Sequence, residues 1–99
     1  MNDRQFSGVE RRAEPRSDYF ARVQVCFQPE GSEPCTFAGM IEDRSKSGLG
    51  VRVRKPIPVG SKISVFHGSA ILRCEVKRCV PSGMDFLLGM RVLPAEAAE

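Results

Sequence analysis

The sequence predicts an all-β fold, a small six-stranded antiparallel β-barrel that follows a flexible N-terminal arm. Apolar and polar residues alternate in six short segments, which is the pattern of half-buried strands. Turn-forming residues separate these segments every eight to twelve positions, and no segment has the apolar spacing of a three-turn helix. Closing six short strands into a barrel leaves no exposed strand edge, so a barrel is the architecture that we expect.

The chain of 99 residues is long enough for one hydrophobic core and divides into three predicted parts. Residues 1–19 are polar and charged without apolar periodicity, so we expect a flexible arm. Residues 20–93 contain all the alternating segments and form the predicted barrel. Residues 94–99 are helix-forming in composition but too few for a stable helix, and they are expected to form a short C-terminal tail.

The first three strands are separated by two polar segments. Ala21, Val23, Val25 and Phe27 supply the apolar positions of the first strand. Two prolines and a glycine in 29–34 then predict a turn, and a second strand is expected over 35–42. A polar turn over 43–48 precedes the third strand, where alternation over 49–54 is the clearest strand signal in the chain.

The last three strands follow a break rich in proline and glycine over 56–60. Ile63 and Val65 mark a short fourth strand, and 67–69 predicts a hairpin turn. Alternation over 70–77 predicts the fifth strand. The segment 81–83 predicts another turn, and the sixth strand is expected over 86–92.

The bulk charge and hydropathy of the chain exclude several classes of protein. Fifteen basic and twelve acidic residues give a net charge of +3, which is too small for a histone-like protein. No apolar run approaches the length that crosses a bilayer, so no membrane insertion is expected. The N-terminus is polar and has no apolar signal core, which predicts a cytoplasmic protein.

Residues with metal-binding or catalytic chemistry are few. The chain has four cysteines, Cys26, Cys35, Cys74 and Cys79, and no two of them form a C-x-x-C pair. In a regular strand Cys74 and Cys79 would point to opposite faces. We therefore expect four reduced thiols and no metal. His67 is the only histidine and is expected to be a solvated turn residue. No nucleophile or phosphate-cradling motif is present, so we expect neither an enzyme nor a cofactor.

Basic residues concentrate in one part of the chain. Between Asp43 and Lys62 there are six basic residues and one acid, Asp43 itself. Arginine makes bidentate contacts to phosphates and to guanine edges, and it stacks on flat bases. This composition is compatible with an anionic ligand, but taken alone it is better explained by two solvated charged faces.

Two short motifs make that interpretation more specific. Arg12 and Arg16 form an R-x-x-x-R preceded by Arg11, and 43–48 is a D-x-S-x-x-G. Asp43 can accept from guanine N–H groups, Ser45 can donate to a phosphate, and Gly48 permits a close approach or a positive φ. Alone, the second motif is also typical of a glycine-capped polar turn. The two motifs, in this order and about thirty residues apart, resemble the PilZ domain over roughly residues 10–93.

The resemblance implies a bacterial six-stranded barrel that binds the second messenger cyclic di-GMP. The implied ligand-binding residues are Arg11, Arg12 and Arg16 from the arm and Asp43, Ser45 and Gly48 from the barrel. The arm would close over the nucleotide and change the binding of a separate partner protein; duplex DNA is not an expected partner. Two alternatives remain open: an adaptor that does not bind nucleotide, and a barrel that binds single-stranded nucleic acid.

Overall fold

The alternating segments of the sequence form the walls of a closed barrel. The computed structural model describes residues 17–94, and every helix or strand within them is a β-strand. The strands are β1 (Ser17–Phe27), β2 (Cys35–Arg44), β3 (Gly48–Val53), β4 (Lys62–His67), β5 (Ala70–Ser82) and β6 (Asp85–Val92). Around the barrel their order is β1-β2-β3-β6-β5-β4, and all six neighbouring pairs are antiparallel. The predicted fold class is confirmed.

The core is aliphatic, as a chain without tryptophan requires. In β3, Leu49, Val51 and Val53 point inward and are buried, whereas Arg52 between them is half-buried on the outer wall. Each fully buried aliphatic side chain contributes about 1.5–3 kcal/mol, so the interior holds the barrel together and the outer wall is available for binding. The buried side chains come from all six strands and from Ile57 in the β3–β4 loop.

The largest differences from the expected strand boundaries are in β1 and β5. Strand β1 begins at Ser17 rather than at Phe20. Strand β5 continues through Pro81 to Ser82, and the chain reverses at Gly83, whose φ of 65° suits glycine. Pro81 has no N–H to donate, but this end of β5 is paired with β6 and not with β4, so a proline is tolerated there.

β-Bulges interrupt three of the six strand pairs and leave the other three regular. The register shifts lie in β1–β2, β2–β3 and β5–β6. In β5 the extra residue is Lys77, so that Val76 pairs with Met90 and Arg78 pairs with Gly89. As a result Cys79 packs against the same core that buries Cys74. The expectation that the two cysteines point to opposite faces is therefore wrong, because a bulge resets the alternation.

Candidate functional site

The D-x-S-x-x-G motif forms the hairpin between β2 and β3. Asp43 lies near the end of β2, and the Ser45 N–H donates to the Gly48 carbonyl oxygen at 3.0 Å. The Ser47 carbonyl oxygen in turn accepts from the Val92 N–H at 2.7 Å, which ties the hairpin to β6. Gly48 is buried and extended as the first residue of β3, and it is not among the glycines with positive φ. Two roles were expected of Gly48, a close approach by the ligand or a positive φ. Only the close approach is compatible with this extended backbone.

A bulge places the Asp43 carboxylate on the outer wall. Ile41 pairs with Val51 and Asp43 pairs with Gly50, so Glu42 is the extra residue. Asp43 therefore shares the outer face with Gly50 instead of pointing inward like Ile41. Its carboxylate lies directly over that glycine: a Cβ on Gly50 would be 2.9 Å from the Asp43 Oδ2.

A second glycine continues this row across the barrel wall. Gly50 pairs with Gly89 of β6, which pairs with Arg78 of β5. A Cβ on Gly89 would be 3.2 Å from both Nε and Nη2 of Arg78. Asp43, Gly50, Gly89 and Arg78 thus form one outward row, which we call the glycine row. The Asp43 carboxylate covers Gly50 and the Arg78 guanidinium lies against Gly89, so the two missing side chains let both charged groups lie close to the backbone.

The glycine row is the floor of an open cleft of about 720 Å³. The hairpin residues Ser45 and Ser47 lie at one rim, and Val80 and Leu87 form an apolar wall. Lys77 and Arg91 add positive charge, part of which Glu75 balances through ion pairs of 3.8 Å and 3.7 Å. This volume is within the range of small-ligand pockets, so the cleft can hold a flat, anionic molecule.

The basic residues between Asp43 and Lys62 do not form one cluster in the fold. The Arg52 guanidinium donates to both oxygens of Glu42 and to the Ser82 carbonyl oxygen. The hydrogen bond with Glu42 raises the pKa of Arg52 above its ordinary value. Arg54 pairs with Asp85 at 3.4 Å. Arg52 and Arg54 lie outside the cleft, because strand alternation and barrel curvature separate them from its lining. The sequence did not predict this separation.

Arg44 and His67 both contact Tyr19 of β1. The Arg44 guanidinium lies 4.3 Å from the centre of the Tyr19 ring, a cation–π distance. The Tyr19 hydroxyl is 3.4 Å from the His67 Nε2, with the rings edge to face. His67 is half-buried and is the last residue of β4, so the expectation of a solvated turn residue is wrong. The contact between Tyr19 and Arg44 links the start of β1 to the residue that follows Asp43.

Sequence reasoning found three of the fourteen residues that line this cleft. It named Asp43, Ser45 and Gly48, which the hairpin brings together at one rim. Arg11, Arg12 and Arg16 lie outside the described residues. It missed the opposite side of the cleft, because pairing between β3 and β6 cannot be deduced from motif spacing. The lining residues that it did not name are Ser47, Leu49, Gly50, Lys77, Arg78, Val80, Leu87, Leu88, Gly89, Met90 and Arg91.

The comparison with protein families agrees with the barrel and the hairpin. Residues 10–99 match the profile of the PilZ domain, which covers nearly the whole chain. The chain belongs to the PilZ domain family. PilZ domains are binding and adaptor domains rather than enzymes, and the family is known to bind cyclic di-GMP. The matched region of this PilZ domain includes both the arginine motif and the D-x-S-x-x-G hairpin. No curated protein matches the chain.

Three further features concern residues 17–94. Among these residues no group of three or more histidines, cysteines or acids is arranged to hold a metal ion. None of the described segments is a helix long and apolar enough to span a membrane. The thiols of all four cysteines are free.

Proposed function

We propose that this PilZ domain is a cytoplasmic receptor for cyclic di-GMP in bacterial second-messenger signalling. The observation that carries the proposal is the glycine row, a backbone floor with Asp43 at one end and Arg78 at the other. Guanine has adjacent N–H donors that suit a carboxylate, and the two phosphates of cyclic di-GMP suit arginine and lysine. The cleft offers both kinds of group within one concave surface.

The glycine row favours a flat ligand. Because its two glycines have no side chains, the Asp43 carboxylate and the Arg78 guanidinium lie close to the backbone, where a purine ring can contact both groups. Arg78 supplies a planar guanidinium next to that floor, and guanidinium groups stack on aromatic rings. Val80 and Leu87 add apolar contact at the side. Together these groups fit a cyclic purine dinucleotide better than a small inorganic anion.

The arm completes the proposed site. Ser17, the first described residue, pairs with Arg44, which lies between Asp43 and Ser45 in the sequence. Arg16 is the residue that precedes Ser17 in the chain. In the proposal Arg12 and Arg16 hold phosphates and guanine edges, and Arg11 adds a further contact. Arm and ligand then form a new surface, which a separate partner protein recognises.

Calorimetric titration with cyclic di-GMP, with cyclic di-AMP as the control, tests the receptor assignment. Arg12→Ala and Arg16→Ala should each weaken binding by about 1–3 kcal/mol, the value of a bidentate contact to guanine. Asp43→Ala should reduce the preference for guanine over adenine. Full affinity in either arginine variant removes that arginine from the site, and absence of binding by the wild type rejects the receptor.

Hydrogen exchange tests arm closure separately. At saturating cyclic di-GMP the amides of residues 11–18 should exchange more slowly than in the free protein, because closure orders them. Equal exchange in both states would reject closure while leaving nucleotide binding intact. Outward residues of β4 distant from the cleft, such as Ser64, serve as the internal reference.

A further inference from the structure

The outer wall opposite the cleft carries an exposed apolar patch. Three large apolar side chains lie on it: Phe20 is 69% exposed, Ile71 61% and Phe66 36%. Phe66 of β4 pairs with Ile71 of β5 on one side and with Gln24 of β1 on the other. Strands β4 and β1 lie across the barrel from β3 and β6, so this patch faces away from the glycine row.

The charges around the patch are mostly positive. We define the β1–β4–β5 face by its outward residues, which are Phe20, Arg22, Gln24, Cys26, Lys62, Ser64, Phe66, Ile71 and Arg73. These include three basic residues, and the one acid at their edge is Glu75, which lies across from Lys62 in the β4–β5 pair. The next outward residue of β5, Glu75, is engaged with Lys77 and Arg91, and Asp18 pairs with Asp43 toward the cleft. An apolar centre with cations around it complements an acidic, amphipathic surface.

The closed barrel restricts how a partner can bind here. At the centre of the face β4 is hydrogen-bonded to β1 over Gln24–Phe27 and to β5 over Ala70–Glu75, so a partner cannot add a strand there and must dock through side chains. A helix about 10–12 Å wide spans two inter-strand spacings of about 4.8 Å, which is the width of β1, β4 and β5. A second copy of the chain is a poor occupant, because it would place like charges opposite one another.

We propose that the β1–β4–β5 face binds an acidic amphipathic helix of a partner protein. Phe66 and Ile71 are the central contacts, and Arg22, Lys62 and Arg73 pair with carboxylates at the sides of the helix. Because the face lies opposite the cleft, this binding does not depend on cyclic di-GMP, and the partner surface and the nucleotide site can be occupied together.

Selection from a library of displayed random 16-residue peptides provides the probe. Wild-type protein is the target, and the double variant Phe66→Ser/Ile71→Ser is used for counter-selection. Enriched peptides should contain apolar residues at helical spacing together with aspartate and glutamate. One of them is then synthesised and titrated, and its contacts are mapped from the amide chemical shifts of the protein.

The synthesised peptide should bind the face variant at least about tenfold more weakly than wild type, since central interface residues carry most of the binding energy. Arg22→Glu/Arg73→Glu should show a similar loss, and affinity should fall with added salt. The control variant Val59→Ser/Met84→Ser removes side chains that are 64% and 93% exposed elsewhere, and it should bind normally. The face variant should keep whatever affinity the wild type has for cyclic di-GMP, so the two proposals fail independently.

Three outcomes would overturn the proposal. The first is that basic peptides are enriched, or that no peptide distinguishes wild type from the face variant. The second is a dimer in sedimentation that the face variant abolishes, which would assign the face to a second copy. The third is a single-stranded oligonucleotide that binds wild type but not the face variant, which would assign the face to nucleic acid.

Discussion

The cleft and the β1–β4–β5 face are opposite walls of one barrel, both basic, but they are built differently. Strand β4 pairs regularly with β1 and with β5, and the face it forms is a continuous layer of outward side chains. The cleft wall has two adjacent glycines flanked by bulges at Glu42 and Lys77. Regular pairing therefore gives a flat surface suited to another protein, whereas missing side chains and extra residues give a concave surface suited to a small ligand.

The largest expected difference between the two walls is in the loss of stability caused by a single-residue deletion. Deleting Ser64 from regular β4 moves Val65 from the core to solvent and directs Phe66 inward, which should reduce the free energy of unfolding by about 3 kcal/mol or more. Deleting Lys77 removes a bulge residue and leaves Arg78 outward and Cys79 inward, so the barrel should persist. Urea unfolding monitored by circular dichroism measures both effects. Equal losses in the two variants would show that the bulge does not absorb the change.

Methyl groups on the glycine row should have the next largest effect, on ligand affinity rather than on folding. In Gly50→Ala the new Cβ would be 2.9 Å from the Asp43 carboxylate, so that group must move. In Gly89→Ala the Cβ would meet Arg78 at 3.2 Å, a smaller displacement. Both should weaken cyclic di-GMP binding about tenfold or more, with Gly50→Ala the weaker binder, because they displace the Asp43 carboxylate or the Arg78 guanidinium that the ligand contacts.

The control for the glycine variants adds bulk to the outer wall away from the row. Ala38→Val lies on β2 opposite Gln24 of β1, and it should leave nucleotide affinity unchanged. Thermal unfolding of all three proteins checks that the barrel is intact. Normal affinity in folded Gly50→Ala and Gly89→Ala would contradict the assignment of the floor as the ligand surface.

The sequence was sufficient to predict the barrel because its signals are local. Alternation in 49–54 specifies which residues of β3 point inward, and glycine specifies turns such as that at Gly68. The bulges were not predictable from the sequence. A bulge residue such as Lys77 differs from its neighbours only in having no partner in the adjacent strand, and its residue type does not indicate this. The side of the cleft formed by β5 and β6 was missed for the same reason: Gly89 acquires its role only when β6 pairs with β3.

The smallest expected effect is a difference in thiol reactivity between the two halves of β5. Cys74 lies in the regular half and Cys79 lies beyond the bulge. Burial raises the pKa of the Cys74 thiol to about 11, against a smaller lowering by Arg73. Cys79 lies past Lys77 and is only half-buried. With a maleimide at pH 8, exposed Cys35 should react fastest, Cys79 more slowly and Cys74 slowest, since the thiolate is the reactive form. Peptide mapping by mass spectrometry resolves the sites; equal rates at Cys74 and Cys79 would contradict this order.

The same thiol predicts a dependence of stability on pH. The folded state keeps Cys74 protonated up to about pH 11, whereas its ordinary pKa is 9.0, so the unfolded chain loses the proton first as pH rises. The free energy of unfolding should therefore be unaffected below about pH 9 and should decline between pH 9 and about 11. Cys74→Val should remove this part of the decline, and an identical pH profile in that variant would assign the decline to other groups.

The pairing of Gly50 with Gly89 also has a kinetic consequence. Strands β2 and β3 form one hairpin and β5 and β6 another, so each side of the cleft can form early from residues close in sequence. The glycine row exists only once β3 and β6, far apart in the chain, have joined and closed the barrel. A ligand lying across that seam holds the two hairpins together. It would slow the opening of the barrel, and at one hundred times its dissociation constant it would add about 2.7 kcal/mol to the free energy of unfolding.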